Sequence, residues 1–170
     1  MHQVETLRWQ AGDAPALELI DQRVLPNQEI YRRYDVRAGA AGVARAIKTM
    51  VVRGAPAIGI AAAYGLALAA AGCRLAPPAG RAAALARAEM ALAASRPTAV
   101  NLFWALACMR TAIDAHRGDG MQLARKLETL AMRMHREDVS INRAIGRHGA
   151  MLIKPGARIQ IGRASCRERV

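Results

Sequence analysis

Residues 46–65 read AIKTMVVRGAPAIGIAAAYG, and this stretch is the most informative about the fold. Apolar residues at helical spacing end at the run RGAP (53–56), which interrupts the helical pattern. Pro56 suits the first turn of a new helix, where its missing N–H costs nothing. The uncharged residues after it are apolar on every side, as in a helix buried in a core. The stretch therefore predicts a helix over 39–52, a tight turn, and a buried helix over 56–72.

The residues before this helical part are predicted to form strands. Two runs with strand character, 4–9 and 17–25, flank the turn-rich sequence AGDAP at 11–15, which predicts a hairpin. A third extended segment is predicted over 29–36. We therefore expect an amino-terminal strand region over residues 1–36.

Helices are also predicted after the central stretch. Residues 81–94 are strongly helical, and Thr98 is a suitable N-cap for a helix over 99–116. A long helix is predicted over 121–153. The fold class is therefore α+β: a small amino-terminal β-hairpin region, then a mainly α-helical domain over 37–153.

The composition limits the classes of function. The chain has 170 residues, of which 53% are apolar, so it can bury a core. Its net charge of +12 would suit nucleic acid, an anionic membrane or a phosphorylated substrate. However, only three of the 25 basic residues are lysines, and the arginines are spread along the chain, which favours a solvated basic surface. We expect no nucleic-acid partner.

Membrane insertion and disulfide formation are not expected either. Residues 54–73 are uncharged and long enough to span a bilayer, but alanine and glycine dominate them, which favours a core helix. The three cysteines form no C-x-x-C pair, and their odd count argues against a disulfide framework. The amino terminus lacks the basic and apolar blocks of a signal peptide. A cytoplasmic location is the expectation.

Two arginine-bearing helix starts are the candidate binding features. In the first, Arg53 and Gly54 precede a helix whose free N–H groups and dipole favour an anion. Arginine supplies a planar donor fork suited to phosphate, and glycine lets the backbone approach closely. The second, SRPTAVN at 95–101, places Arg96 at another proline-marked helix start. On spacing alone, an ordinary helix–loop–helix turn with an exposed arginine is the favoured explanation of the first segment, and the spacing does not show that the two loops converge on one phosphate.

Other candidates are weaker. The four histidines have no metal-ligand spacing, so no metal site is expected. The run HRED at 135–138 is expected to be a solvated helix face rather than an acid–base pair. Trp9, Phe103 and Trp104 are expected to lie in the core rather than to form a base-stacking platform.

At this point three segments resemble those of the methylthioribose-1-phosphate isomerases. They are LIDQRVLP at 19–26, the stretch at 46–65, and SRPTAVNLFWAL at 95–106. Residues 137–150, with their EDxxxNxxIGxxGA pattern, resemble the next block of the family. The resemblance extends over about residues 5–159, in the family's order.

The resemblance implies an aldose–ketose isomerisation in methionine salvage, from methylthioribose 1-phosphate to methylthioribulose 1-phosphate. It implies that the substrate is bound by Arg53, Gly54, Ala55 and Arg96. It implies no cofactor, and a homodimer for the full-length protein. The family's catalytic cysteine and aspartate lie beyond this sequence, in a Rossmann-like domain, so the chain contains no catalytic residue and is expected to be inactive alone.

Two alternatives are compatible with the same motifs. One is a related isomerase that acts on another pentose 1-phosphate. The other is a non-enzymatic regulatory subunit of the initiation factor 2B type, which belongs to the same superfamily. The RGAP and SRPT motifs favour the enzyme.

The carboxyl-terminal end departs from the family pattern. Residues 154–159 are expected to begin the α/β domain, with the opening of a strand at 157–159. Residues 161–170, IGRASCRERV, have no helical or strand period and can be written as an in-frame translation of a common sequencing adapter, which also completes the codon of Gln160. We expect residues 160–170 to be foreign. Without 161–170 the charge falls from +12 to +10, because three arginines and one glutamate are lost.

Overall fold

The structure is a computed structural model and describes residues 4–154 and 156–158. Within them, three strands precede five helices, which confirms the α+β fold class. The strands are β1 (Leu7–Gln10), β2 (Ala16–Ile20) and β3 (Tyr31–Asp35). The helices are α1 (Gly39–Lys48), α2 (Ala55–Gly72), α3 (Pro78–Ala93), α4 (Val100–Asp114) and α5 (Gly120–Ala150). The expected foreign residues 160–170 and Ile159 lie outside the described residues.

The strands form one antiparallel sheet in the order β1-β2-β3. Leu7 pairs with Leu19 and Trp9 with Leu17, so the predicted hairpin is confirmed. The central strand β2 is almost wholly buried, whereas β3 is largely exposed. The sheet therefore contributes to the core mainly through the side chains of β2.

β2 ends at Ile20 rather than at the predicted residue 25, and Asp21 is the reason. Its buried carboxylate accepts hydrogen bonds from the backbone N–H of Arg23 at 3.2 Å and from the Arg23 guanidinium at 2.7 and 2.8 Å. Arg32 on β3 donates a further bond at 3.2 Å. The side chain thus replaces the strand's own hydrogen bonding and turns the chain. The Arg23 hydrogen bond, assisted by that of Arg32, holds the pKa of Asp21 well below its usual 3.8.

α2 is the central helix of the bundle. Tyr64, Leu66 and Leu68 on it are buried, and it packs against α1, α3 and α4. A Cβ at Gly65 would lie 3.1 Å from Leu92 and 3.3 Å from Val43, so the missing side chain allows close helix packing here. α2 is long and apolar enough to cross a membrane, with a mean hydropathy of 1.6, but 67% of it is buried inside the fold.

α1 ends at Lys48, four residues before the predicted end. Met50 has φ = 60°, and its N–H donates to Ile47 O at 3.2 Å while the N–H of Val51 donates to Ala46 O at 2.9 Å. These two bonds form a Schellman motif, in which glycine usually occupies the left-handed position. This helix end could not be predicted from the sequence because a methionine, which adopts the left-handed conformation at a cost, stands where glycine would be expected.

The chain divides into two compact units, Met1–Glu137 and Asp138–Val170. The first contains the sheet, α1 to α4 and most of α5, with Leu123, Leu127, Ala131 and Met134 of α5 buried. In the second unit, the residues of α5 from Asp138 to its end at Ala150 are largely exposed to solvent. Residues 157 and 158, where a strand was expected to open, have no regular secondary structure.

Candidate functional site

The first candidate segment is loop 1, residues 53–56. Gly54 has φ = 97°, a conformation that favours glycine, and α2 begins at the next residue. The first helical hydrogen bond runs from Ile58 N to Gly54 O at 3.0 Å, so the N–H groups of Ala55 and Ala57 have no partner within the helix. The described structure has no side-chain cap and no acidic residue in this first turn. An exposed, uncompensated positive helix end results.

Loop 1 is braced by the segment that follows β2. Gln22 N donates to Val51 O at 2.9 Å, and Gln22 Nε2 lies 3.4 Å from Arg53 O. The guanidinium of Arg53 in turn lies 3.5 Å from Gln22 O. Arg53 is exposed to solvent despite these contacts. Sequence reasoning did not assign this bracing role to Gln22, since the two segments are 31 residues apart.

The second candidate segment is loop 2, residues 95–99. Ser95 is buried, and its hydroxyl donates to Leu92 O at 2.5 Å, which fixes the end of α3. Ala99 N donates to Arg96 O at 3.1 Å, and this turn leads into α4. The Thr98 N-cap prediction is wrong: Ala99 occupies the cap position, and no side chain of the described residues caps the helix. The uncapped start leaves the N–H groups of Val100 and Asn101 unbonded within α4.

The two loops converge through Gly59. A Cβ at Gly59 would lie 2.6 Å from the backbone oxygen of Asn101 and 3.5 Å from the Ala105 side chain. The second turn of α2 therefore touches the first turn of α4 backbone to backbone, which brings the two helix starts side by side. Neither first turn contains an acidic residue, so no carboxylate there offsets the positive dipole end of α2 or of α4. This arrangement can bind a multiply charged anion such as a phosphate ester.

Replacing Gly59 with alanine is expected to destabilise the fold by at least about 1 kcal/mol, because the new methyl group must push α2 and α4 apart. The control is Gly80→Ala on α3, where the added Cβ would meet its nearest neighbours at 3.9 Å and alanine favours the helix. Urea unfolding of the two variants measures the difference. Equal free energies of unfolding would show that the contact between α2 and α4 is looser than described.

The remaining candidates form no second site. Trp9 stacks on Tyr64 at 4.6 Å and donates its indole N–H to Glu128 at 2.9 Å. The Tyr64 hydroxyl lies 3.2 Å from Nδ1 of His135, so the expected solvated face at 135–138 is wrong for His135, which is half-buried. Burial raises the pKa of Tyr64. No cluster of metal-ligating side chains occurs among the described residues.

The expected core positions of Phe103 and Trp104 are also wrong. Their side chains are 44% and 57% exposed, because the other face of α4 supplies the buried residues. Trp9, which is half-buried, fits the expectation better. The free thiol of Cys73 is half-buried, and desolvation raises its pKa, which makes it a poor nucleophile.

Cavities of about 690, 350 and 320 Å³ occur among the described residues, and these three are lined by residues outside loop 1 and loop 2. The largest of the three lies between α4 and α5 and has Arg125, Lys126 and Arg133 at its edge. Loop 1 is exposed, whereas in loop 2 Ser95 is buried and Arg96 is half-buried. Neither loop contains an acidic residue or a histidine that could act as an acid or base.

The chain is an α+β domain in which two helices that each follow an arginine are in contact close to their starts, at Gly59 and Asn101. Residues 51–165 match the initiation factor 2 subunit family. The match covers more than half of the chain, and the chain belongs to this family.

Relatives in the family share much of this sequence. A methylthioribose-1-phosphate isomerase of Albidiferax ferrireducens is 51% identical over 158 residues, which are 92% of this chain and 43% of that protein. One of Methylococcus capsulatus is 47% identical over 150 residues, which are 88% of this chain and 40% of that protein. The chain thus spans about two fifths of the length of these relatives.

Solved structures agree on the fold. The 5-methylthioribose 1-phosphate isomerase of Pyrococcus horikoshii OT3 superposes with a TM-score of 0.79 at 34% identity, over 87% of this chain and 40% of that chain. The translation initiation factor eIF-2B subunit delta of A. fulgidus gives 0.78 at 34% identity, over 91% of this chain and 43% of that chain. The fold is therefore common to an enzyme and a translation factor, and fold alone does not separate them.

Proposed function

We propose that this chain is the amino-terminal, phosphate-binding part of a methylthioribose-1-phosphate isomerase. The observation that carries the proposal is the contact of Gly59 with Asn101, which brings the start of α2 next to the first turn of α4. The identity of 47–51% to proteins of that name supports it. By the same proposal, Arg53, Gly54, Ala55 and Arg96 bind the substrate.

The proposed role of the loops follows from the chemistry of the substrate. A phosphate on C1 of the sugar prevents simple opening of the ring, so the enzyme must hold the phosphate in place while the rest of the sugar reacts. Guanidinium groups and backbone N–H groups suit the phosphate oxygens, and each charge-assisted hydrogen bond contributes about 1.5–3 kcal/mol. The backbone N–H groups of Ala55 and Val100 have no hydrogen-bond partner within their own helices, so they can donate to a phosphate oxygen. This half of the site thus anchors the substrate and performs no proton transfer.

The rest of the proposal concerns the longer protein. Its isomerisation would use residues in the part of the relatives that this chain does not span, so the chain alone is expected to be inactive. The proposed enzyme works in the cytoplasm as a homodimer, without a cofactor, and has no nucleic-acid or membrane partner.

An initiation factor subunit is the second candidate. This candidate is favoured by the structural match to the eIF-2B subunit delta of A. fulgidus, which is almost equal to the match to the isomerase. A related pentose 1-phosphate isomerase would share the same loops. The higher sequence identity to bacterial isomerases, up to 51%, gives the methylthioribose enzyme priority.

A graft tests the proposed function. In it, the matched 158 residues of this chain replace the corresponding part of the Albidiferax ferrireducens isomerase. We expect the graft to convert methylthioribose 1-phosphate at a rate within about tenfold of that relative, whereas the 170-residue chain alone shows no turnover. A graft that unfolds cooperatively and dimerises but has no activity would refute the proposal and favour the translation factor. Preference for another pentose 1-phosphate would identify the related isomerase.

A further inference from the structure

Gln22 lies between a firmly held turn and the chain that leads into loop 1. On one side of it, Asp21 N donates to Ile30 O at 2.7 Å, and the buried Asp21 carboxylate accepts hydrogen bonds from Arg23. On the other side, Gln22 N donates to Val51 O at 2.9 Å, and Val51 is itself buried. The backbone at Gln22 is therefore held from two directions.

Two reciprocal contacts join Gln22 to Arg53. The side-chain Nε2 of Gln22 lies 3.4 Å from Arg53 O, and Nη2 of Arg53 lies 3.5 Å from Gln22 O. Each contact is at the long end of the hydrogen-bonding range, but together they restrain both the carbonyl group and the side chain of Arg53. A guanidinium has five N–H donors, so a contact through Nη2 leaves most of them for a ligand.

The side chain of Arg53 is the part of loop 1 that needs such a restraint. The other three residues of loop 1 are glycine, alanine and proline, so only Arg53 has a side chain with several rotatable bonds. Arg53 is exposed, whereas Gln22 is half-buried. An exposed arginine loses rotamer freedom when it binds an anion, and this entropy cost weakens binding. A side chain that is already tethered loses less, which is the advantage of preorganisation.

We propose that Gln22 is a positioning residue, which holds Arg53 in the orientation in which its guanidinium meets the substrate phosphate. This inference rests on the proposed function and adds to it a residue that does not touch the substrate. Gln22 acts through Arg53 alone, by reducing the freedom that Arg53 loses on binding. Its contribution to affinity therefore disappears when the guanidinium of Arg53 is absent.

The affinity of the 170-residue chain for 5-methylthioribose 1-phosphate, measured by calorimetry, tests the positioning role. Gln22→Ala is expected to raise the dissociation constant about fivefold, which is the size of effect that one ordinary hydrogen bond produces. Arg53→Ala is expected to raise it further, because the guanidinium itself is then lost.

The double variant separates a positioning role from an independent one. In a chain that already carries Arg53→Ala, we expect Gln22→Ala to change the dissociation constant by less than about twofold. The reason is that two residues acting through one group give non-additive effects, whereas independent residues give additive ones. A general loss of folded structure would weaken binding equally with or without Arg53.

Two further variants serve as controls. Gln22→Met keeps the length of the side chain but removes its amide, so it is expected to bind as weakly as Gln22→Ala. Gln28 is an exposed glutamine of the same segment, whose backbone N–H donates to Val24 O, and Gln28→Ala is expected to bind like the wild-type chain. All of these chains should unfold at the same urea midpoint as the wild type.

Each other outcome has a defined meaning. Wild-type affinity in Gln22→Ala or in Gln22→Met, with weak binding in Arg53→Ala, would overturn the positioning role and leave the proposed function intact. A full fivefold loss that persists in the Arg53→Ala background, or a loss accompanied by a lower urea midpoint, would also overturn it. No binding of 5-methylthioribose 1-phosphate to the wild-type chain would overturn the proposed function of the loops and the positioning role with it.

Discussion

Replacing Arg96 with alanine is expected to weaken the binding of the sugar phosphate by about 100-fold in the active graft. Loss of a guanidinium that donates to a phosphate removes one or two charge-assisted hydrogen bonds, or about 3 kcal/mol, and each 1.4 kcal/mol corresponds to a factor of ten. Arg96 is half-buried in loop 2, so water replaces it poorly. The KM and the kcat/KM for methylthioribose 1-phosphate measure the effect.

The control for this prediction is Arg87→Ala on α3. Arg87 is exposed, and its replacement lowers the net charge by the same amount without touching either loop. We expect a change in kcat/KM of less than about twofold, because screened surface charge contributes little at physiological salt. If both variants lose the same activity, the basic charge of the chain as a whole attracts the substrate, and the assigned role of Arg96 is wrong. Arg53→Ala is expected to behave like Arg96→Ala, with a smaller effect because its side chain is more exposed.

Replacing Asp21 with asparagine is expected to lower the free energy of unfolding by about 3 kcal/mol at pH 7. Breaking a buried ion pair costs about 3–5 kcal/mol, and the lower end applies because the side chains of Arg23 and Arg32 are 44% and 50% exposed and can turn to water. Asp21 also determines where β2 ends and therefore positions Gln22 beneath loop 1. Urea unfolding of the two proteins gives the difference.

The pH dependence tests the same interaction. The pKa of Asp21 in the folded chain is held below its unfolded value of about 3.8, so the stabilisation is fully present above that pH. It is lost as the pH falls, because the unfolded chain binds the proton first. The gap between the wild-type and Asp21→Asn chains should therefore shrink below about pH 4.

A surface carboxylate serves as the control for Asp21. Asp114 lies 3.9 Å from Arg110 and is 65% exposed. Asp114→Asn is expected to change stability by less than about 1 kcal/mol at any pH in this range, as exposed pairs do. A loss from Asp114→Asn as large as that from Asp21→Asn would mean that net charge, rather than the buried carboxylate, governs the effect.

The sequence by itself determined the class of fold and the identity of the two candidate loops. Helical spacing, proline at a helix start and the turn-rich run at 11–15 are local signals, and each depends on the backbone preferences of a few neighbouring residues. For that reason the predictions of the hairpin and of the five helices are confirmed, with errors mainly at the ends. The arginine-bearing helix starts are equally local signals, since the dipole and free N–H groups of a helix start favour an anion wherever the helix lies.

The ends of elements and the faces of helices depended on distant residues. β2 stops before Asp21, whose carboxylate accepts a hydrogen bond from Arg32 of the next strand. Phe103 and Trp104 are exposed because α2 packs against the other side of α4, and no pattern within α4 itself specifies which side that is. His135 faces Tyr64 across 71 residues for the same reason.

The joining of the loops was decided by tertiary structure alone. Loop 1 and loop 2 are about 40 residues apart in the sequence, and no local preference of either segment brings them together. The backbone of α2 can approach Asn101 only because Gly59 has no side chain, and the shared apolar core supplies the free energy that holds the two helices there. The sequence thus identified which groups are candidates for binding an anion, whereas helix packing decided that the starts of α2 and α4 lie next to each other.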